Sequence, residues 1–214
     1  MPRPTPLSYL ATPQRIAEAA LELLDEEGPG ALSFRALADR LGVSHMTIHR
    51  RCVDLAGLLD LCVDQLAATM PLVAPGTDWA DATEARFGSL YRLLTARPSL
   101  LALRGGRPWL GPHLLARLVE PQLADSLAAG LTPLQAITAY RRMYLLTLGS
   151  AGFVDHRDPA GAIATTRAAL AALDPVVFPV LTGHLAEILP AVVDHEVYYG
   201  ALRQLIEAAR PATR

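Results

Sequence analysis

Cationic side chains are concentrated in one short stretch near the N-terminus. Between Leu32 and Val53 the sequence has four arginines, one acid and two histidines: Arg35, Arg40, Arg50, Arg51, Asp39, His45 and His49. Guanidinium groups bind phosphate oxygens through paired hydrogen bonds, and four positive charges against one negative charge give a local charge of +3. The stretch is therefore typical of a small nucleic-acid interface, although the whole chain has a net charge of −2.

Metal coordination is a second chemistry that the same stretch could support. His45, His49 and Cys52 recur at i, i+4 and i+7, which is the spacing of one helical face. A helix whose outer side chains hold a metal could not also contact bases, and no fourth ligand is evident nearby. We therefore expect no metal site.

Catalytic motifs are weak throughout the chain. The segment Gly149–Gly152 lacks the spacing and the preceding strand of a nucleophile elbow. Gly28–Gly30 lacks the third glycine of a dinucleotide-binding loop and reads as a turn. The six histidines give no triad that the sequence can assemble. We expect a protein that is not an enzyme and uses no cofactor.

Helix start and stop signals place the basic stretch in a helix-turn-helix. The expected N-caps of the first four helices are Thr12, Ser33, Ser44 and Asp54, and the expected ends are near Glu27, Leu41, Cys52 and Met70. Two short helices joined by Leu41, Gly42 and Val43 form the motif, and the third helix, which starts after Ser44, carries most of its basic residues.

The remainder of the sequence also has helical periodicity. Helices are predicted at 78–97, 100–104, 112–129 with a kink at Pro121, 132–153, 159–173, 178–189 and 194–209. No period-2 alternation is long enough for a strand, so the fold class is all-α, and 51% apolar residues can fill its core. Two prolines and a glycine between Pro71 and Thr77 predict a boundary between a DNA-binding domain with its connecting helix, 1–70, and a second domain, 71–214.

The stretch from Leu32 to Val43, LSFRALADRLGV, is similar to the helix-turn-helix of the TetR family of transcriptional regulators, and the match spans roughly Pro13 to Leu66. The resemblance implies a base-contacting role for Arg35 and a phosphate-contacting role for Thr47. His49 and Leu55 depart from the tyrosine and the lysine that are usual in the family, so Arg50 and Arg51 are the expected replacements. The predicted DNA-binding residues are Ser33, Arg35, Ser44, His45, Met46, Thr47, His49, Arg50 and Arg51.

Three segments further along resemble the C-terminal domain of tetracycline-repressor-like members: Gly106–Pro108, Gly130–Pro133 and Thr147–Gly149. The closing segment Glu196–Leu202 resembles their last helix. The resemblance implies a homodimer that forms through the helices from Thr132 and from Asp194. It also implies a repressor that binds a palindromic double-stranded DNA operator and is released by a small organic effector.

The effector region is expected among polar residues of the second domain: Arg86, Tyr91, Arg107, Trp109, His113, Tyr140, Arg141, Tyr144 and Thr147. Tyr140, Tyr144 and Thr147 lie at i, i+4 and i+7 and could form one wall of a cavity. The same spacing fits a buried tyrosine stripe whose hydroxyls bond to backbone. The alternative function is a helical DNA-binding or protein-interaction module whose C-terminal domain only dimerises and binds no effector.

The effector's chemistry and the protein's location follow from what the sequence lacks. By the family alignment, Leu103 and Phe153 occupy the positions of metal-binding side chains, so a tetracycline–magnesium effector is not expected.

The N-terminal residues show neither a signal peptide nor a membrane span. Cys52 and Cys62 form no CxxC pair, which suits a reducing compartment. We expect a cytoplasmic protein without membrane contact.

Overall fold

Every secondary-structure element in the described part of the chain is a helix. The computed structural model describes residues 11–97, 100–101, 103, 111–153 and 158–210, and no strand occurs within these ranges. The predicted all-α fold is confirmed. Contacts divide the described residues into two compact units: 11–72, 100, 101, 103 and 111–121 form the first, and 73–97, 122–153 and 158–210 form the second.

In chain order the helices are α1 (Pro13–Glu26), α2 (Phe34–Leu41), α3 (His45–Cys52), α4 (Leu55–Ala68), α5 (Trp79–Thr95), α6 (Pro112–Leu114), α7 (Glu120–Ala128), α8 (Pro133–Phe153), α9 (Pro159–Ala171), α10 (Pro179–Gly183), α11 (Leu185–Ala191) and α12 (His195–Ala209). A 3₁₀ turn, Pro29–Ala31, follows α1, and a π-helical turn, Leu115–Val119, joins α6 to α7.

Polar caps determine where the first four helices begin. The side chains of Thr12, Ser33, Ser44 and Asp54 each accept a hydrogen bond from the backbone N–H three residues further on. Gly42 ends α2 with φ of +65°, a left-handed conformation that glycine adopts without steric cost. These caps and the turn at Gly42 agree with the sequence signals.

The core of the first unit is built on the inner faces of α1 to α4. Ile16 of α1, Leu37 of α2, Ile48 of α3 and Leu58 of α4 are completely buried. Helix α1 packs on α2 and α4, and α3 packs on α2 and α4. Helix α6 also packs on α4, which is why residues 111–121 belong to the first unit by contact although they follow α5 in the sequence.

The helix around Pro121 contains a π-helical turn in place of the predicted simple kink. Proline at 121 has no N–H, and its ring crowds the carbonyl four residues earlier. The chain widens to an i→i+5 bond just before it, from the N–H of Glu120 to the carbonyl of Leu115. Further on, one predicted helix over 178–189 is two short ones, because His184 has non-helical φ and ψ of −122° and 30°.

The second unit is centred on α5, α8 and α12, which all pack against one another. Phe87 and Leu90 of α5, Met143 of α8 and Leu202 of α12 are completely buried. Helices α9, α10 and α11 pack together, and apolar side chains remain exposed around the start of α10: Val176, Val177, Phe178, Val180 and Leu181.

Candidate functional site

Helix α3 has a buried inner face and a polar outer face. Ile48 and Cys52, four residues apart, are buried on the inner side. The exposed side chains are the ones predicted to meet DNA: His45, Met46, His49, Arg50 and Arg51. Met46 on this face is 59% exposed. This face is therefore available to an external partner.

The predicted residues of α2 lie at the start of the neighbouring helix. Ser33 caps α2 by accepting from the N–H of Ala36 at 3.2 Å, and Arg35 is exposed in the first turn. Because α2 packs directly on α3, the structure brings Arg35 and the outer face of α3 into one helix-turn-helix.

The two hydroxyls predicted at the start of α3 are bonded to each other. The Ser44 side chain accepts from the N–H of Thr47 at 3.2 Å, and the two hydroxyl oxygens are 2.9 Å apart. Each hydroxyl retains hydrogen-bonding capacity, since an alcohol can donate once and accept twice. The pair caps the N-terminus of α3, where Ser44 and His45 are exposed, and helix N-termini are places where anions bind.

Charge on this surface is smaller than the residue count suggests. Arg40 pairs with two acids of α1, Glu26 at 2.6 Å and Glu22 at 3.4 Å, and this interaction with Glu26 raises the arginine pKa further above its ordinary value. Arg50 lies along α3, with its Nε donating to the carbonyl of Met46 at 3.3 Å. Arg40 therefore contributes to the fold, while Arg35, Arg50 and Arg51 supply the exposed cationic charge.

The histidine and cysteine spacing on α3 does not produce a three-ligand cluster. His45 and His49 are exposed, whereas Cys52 is buried, and burial raises the pKa of its thiol. The rings of His45 and His49 instead lie near Phe34 of α2, with centroids 6.0 and 5.8 Å from it. Within the described ranges no group of three or more histidine, cysteine, aspartate or glutamate side chains could hold a metal ion.

The link between α3 and α4 is tightly constrained. Val53 has φ of +58°, a conformation that a β-branched residue rarely adopts. The following N–H, of Asp54, donates to the carbonyl of Cys52 at 2.6 Å. The same carbonyl oxygen sits against Gly57, where an added Cβ would collide with it. Glycine at 57 and the cap at Asp54 thus fix the direction of α4 relative to α3.

His113, predicted as an effector residue, belongs to the first unit and bonds to α4. Its Nδ1 lies 2.8 Å from a carboxylate oxygen of Asp64, and the other Asp64 oxygen accepts from the backbone N–H groups of His113 and Leu114 at 2.9 and 3.3 Å. Asp64 is only 7% exposed. The carboxylate therefore fastens the N-terminus of α6 to α4.

Tyr91 and Thr147, also predicted as effector residues, meet in a tyrosine cluster of the second unit. The rings of Tyr91 and Tyr198 are stacked, with centroids 3.8 Å apart. The Tyr198 hydroxyl donates to the carbonyl of Phe87 at 3.0 Å and lies 2.9 Å from the Thr147 hydroxyl. The Tyr91 hydroxyl lies 2.9 Å from Nδ1 of His195. Burial raises the pKa of the Tyr91 phenol to about 12 and that of Tyr198 still further.

Arg86 lies in a separate buried network that joins α5 to α7. It donates to Gln122 at 3.2 Å and pairs with Asp125, and Gln122 in turn donates to Thr83 at 2.8 Å. The indole N–H of Trp79 donates to Ser126 at 3.0 Å. None of the buried side-chain polar atoms of these residues lacks a hydrogen-bond partner, so the network holds the two helices together.

The remaining predicted effector residues lie on α8 or outside the described chain. Tyr140 and Tyr144 stack with centroids 5.6 Å apart, and Arg141 lies 5.9 Å from the Tyr144 ring. Burial raises the pKa of Tyr140. Arg107 and Trp109 lie outside the described residues.

A cavity of about 1080 Å³ opens elsewhere in the second unit. It is formed by the starts of α5 and α8 and the ends of α7 and α12, with these lining residues: Asp78, Trp79, Ala128, Ala129, Gly130, Leu131, Leu134, Gln135, Thr138, Ala139, Arg142, Ala208, Ala209 and Arg210. None of the predicted effector residues that the structure describes lines this cavity.

Several polar residues that organise these regions are absent from the predicted DNA-binding and effector sets: Asp64, Gln122, Asp125, His195 and Tyr198. The sequence does contain a signal that Tyr198 lies on a buried face, because Tyr198, Leu202 and Ile206 recur every four residues. In the structure all three are buried in their own unit. The partners of Asp64 on α6, and the partners of Gln122 on α5, are 36 to 50 residues away in the sequence. No local pattern identifies contacts at that separation.

No helix in the described ranges is both long enough and apolar enough to cross a membrane.

Both the helix-turn-helix and the whole fold are similar to those of known bacterial transcriptional regulators. Residues 16–52 match the sequence profile of the bacterial regulatory proteins of the tetR family. An HTH-type transcriptional regulator of Saccharopolyspora erythraea is 35% identical over 166 residues, which cover 76% of this chain and 68% of that protein. The transcriptional repressor DrrR1 of Streptomyces coeruleorubidus is 32% identical over 140 residues, 64% of this chain and only half of its own length.

Among solved structures, the TetR family protein ActR of Streptomyces coelicolor in complex with actinorhodin superposes with a TM-score of 0.73. It is 26% identical, and the match covers 92% of this chain and 93% of ActR. The fold therefore has an N-terminal helix-turn-helix followed by a helical C-terminal domain. With the capped motif of α2 and α3, the matching profile and the related regulators all in agreement, this chain belongs to the TetR family of bacterial transcriptional regulators.

Proposed function

We propose that this regulator is a repressor that binds a palindromic DNA operator as a homodimer and is released by a small organic effector. The observation that carries the proposal is the outer face of α3, where two arginines and two histidines are exposed on a helix whose opposite face is in the core. A capped helix with an outward N-terminus and basic side chains fits the major groove of duplex DNA.

Each exposed side chain has a role in this proposal. Arg35, His45 and Met46 face base edges, where an arginine can bond to guanine and an apolar group can contact a thymine methyl. The phosphate contacts come from the remaining predicted residues: Ser33, Ser44, Thr47, His49, Arg50 and Arg51. Leu55 is 44% exposed where the family usually has a lysine, so Arg50 and Arg51 provide the cationic contacts instead.

The proposed dimer forms through α8 and α12. Large apolar side chains are exposed on α8 at 134, 137 and 145 and on α12 at 197, with exposures between 50% and 76%. Leu134, Ile137 and Leu145 follow helical spacing and lie along one side of α8. Exposed apolar stripes of this kind mark protein interfaces, and a two-fold dimer would present two recognition helices to symmetric half-sites.

The effector proposal is supported by the ligand complex of the structural relative. ActR is described in complex with actinorhodin, which makes a small organic molecule the expected type of ligand here. Within the second unit, we assign the effector region to Tyr140, Arg141 and Tyr144 on α8. For release, the effector must bind the DNA-incompetent state more tightly, and a hundredfold release needs about 2.7 kcal/mol of such preference.

The alternative is a DNA-binding module whose second domain only dimerises. Tyr91, Thr147 and Arg86 favour this alternative, because their polar groups already have hydrogen-bond partners inside the protein. A thermal-shift screen separates the two functions. A compound that raises the melting temperature and also weakens the DNA complex supports the effector, and a screen without one supports the module.

The test of DNA binding is selection from random duplexes at low salt, followed by affinity measurements on variants. We expect the double variant Arg50→Ala, Arg51→Ala to lose affinity for all sequences and to flatten the salt dependence by up to about one unit per lost contact. Arg35→Ala should relax sequence preference. Arg167→Ala, at an exposed arginine of α9, is the matched control and should bind as the unmodified protein does. Failure to select any duplex would overturn the proposal.

The test of dimerisation is the molar mass in solution. Replacing Ile137 and Val197 by arginine places charge on the exposed apolar side of α8 and α12 without touching buried residues. We expect light scattering to give a dimer for the unmodified protein and a folded monomer for the variant. A dimer that survives both substitutions would place the interface elsewhere.

A further inference from the structure

Helix α3 carries two imidazole rings side by side on its exposed face. His45 and His49 are one helical turn apart, and their ring centroids are 6.2 Å from each other. Phe34 of α2 contacts both, at 6.0 and 5.8 Å between centroids. Both histidines are exposed on the face of α3 that is proposed to meet DNA.

The surroundings of these rings offer little negative charge. The charged and titratable groups on α3 and on the helices packed against it, α2 and α4, are Arg35, Asp39, Arg40, Arg50, Arg51, Cys52, Asp54, Asp60 and Asp64. Asp54 caps α4, Asp64 is bonded to His113, and Arg40 is paired with the acids of α1. The ion pairs formed between described residues include neither His45 nor His49.

A proton on either ring would thus add charge to a surface that already carries three exposed arginines. In the free protein these positive charges repel one another, whereas DNA phosphates close to the rings favour the charged form of histidine. The chain has no lysine, and arginine keeps its charge at all pH values of interest. Histidine is the side chain that changes charge between about pH 5 and 8.

We propose that His45 and His49 take up protons when α3 binds DNA, so that operator affinity is coupled to pH and increases on acidification. This inference rests on the proposed DNA-binding function and deepens it. Two histidines per subunit allow an uptake of up to about four protons per dimer, and each proton taken up in full changes the affinity tenfold per pH unit.

The three described histidines outside the helix-turn-helix have different surroundings. His113 bonds to Asp64, His195 lies against the Tyr91 hydroxyl, and His184 is exposed near Glu187 at 3.9 Å. His184 is therefore a suitable control, since it is as accessible as the histidines of α3 but lies in the link between α10 and α11.

The experiment measures the affinity of the full chain for a duplex selected from random DNA, between about pH 6 and pH 8 at constant ionic strength. We expect the unmodified protein to bind at least about tenfold more tightly at the acidic end. The double variant His45→Gln, His49→Gln should bind with a flat pH profile, and His184→Gln should retain the full dependence. The single variants His45→Gln and His49→Gln should each remove part of the pH dependence. His49→Tyr, which introduces the side chain usual in the family, should do the same.

The outcomes separate this inference from the function on which it rests. DNA binding with no pH dependence, or a dependence that persists in both single variants and in the double variant, overturns proton uptake and leaves the DNA-binding function intact. Absence of DNA binding at every pH overturns both. Circular dichroism on each variant shows whether α3 is still folded, and the single variants carry the test if the double variant is unfolded or no longer binds the duplex.

Discussion

On the outer face of α3 the polar side chains point away from the protein, whereas in the tyrosine cluster of α5, α8 and α12 they bond to one another. Arg51 and His49 are exposed on a capped helix. Tyr198 is 2% exposed, and its hydroxyl contacts a carbonyl and a threonine of its own unit. The two regions use similar hydrogen-bonding groups, but those of α3 remain available to a partner and those of the cluster do not.

The difference shows how exposure separates recognition from stability in this protein. Substitutions on the outer face of α3 should change DNA binding and leave folding almost unaffected. Substitutions in the cluster, or on the inner face of α3, should change the free energy of unfolding because they remove buried contacts.

The largest effect is expected on the inner face of α3. Ile48→Ala removes a completely buried side chain from the core of the first unit. Lost burial and the cavity left behind should lower the free energy of unfolding by about 2–5 kcal/mol, measured by urea denaturation followed by circular dichroism. A change below about 0.5 kcal/mol would show that α3 is not anchored through this residue.

A smaller effect is expected from a single hydroxyl of the cluster. Tyr198→Phe keeps the ring stacked on Tyr91 but removes the hydroxyl's hydrogen bonds to the carbonyl of Phe87 and to the Thr147 hydroxyl. The expected loss is about 1–3 kcal/mol in the free energy of unfolding, with DNA affinity unchanged at temperatures where the variant is folded. The matched control is Tyr199→Phe, whose hydroxyl accepts only a long contact from Arg92 at 3.3 Å.

High pH should act on the same cluster through Tyr91. Its pKa of about 12 in the folded protein is above the ordinary value of 10, so the folded state holds the phenol proton more strongly than the unfolded state does. The resulting stability is complete below about pH 10 and is lost as the pH rises towards 12, by up to about 1.4 kcal/mol per pH unit. Ultraviolet titration of the tyrosinates should show delayed ionisation, and Tyr91→Phe should remove one delayed group.

The smallest change in stability is expected at Met46. Its side chain is 59% exposed, so Met46→Ala should alter the free energy of unfolding by less than about 0.5 kcal/mol. Its effect should instead be on sequence preference, measured by repeating the selection from random DNA. A stable variant with an unchanged preference would remove Met46 from the base-contacting set.

Local signals predicted the helix-turn-helix well because its boundaries depend on adjacent residues. Ser33, Ser44 and Gly42 act within one helical turn, and the structure has each cap and the left-handed glycine where these residues occur. The π-helical turn was not predicted, because proline signals a disturbed helix but not how the chain adapts to it.

The arrangement of the polar residues could be predicted only in part. The spacing of Tyr140, Tyr144 and Thr147 on α8 indicated one face, and the structure places Thr147 and Tyr144 on the buried side. The hydrogen bonds of Asp64 and Arg86 join residues 36 to 50 positions apart, so they depend on how helices pack. Sequence periodicity predicts which side of a helix is buried, but it does not predict which polar atoms meet there.

The bond from Trp79 to Ser126 gives the second unit an intrinsic optical reporter. The chain has two tryptophans, and the indole of Trp79 is 8% exposed with its N–H donated to a serine of α7. Separation of α5 from α7 would expose this indole to water and move its fluorescence emission to longer wavelength. With Trp109 replaced by phenylalanine, the emission of a single side chain would report this packing continuously, without an attached dye.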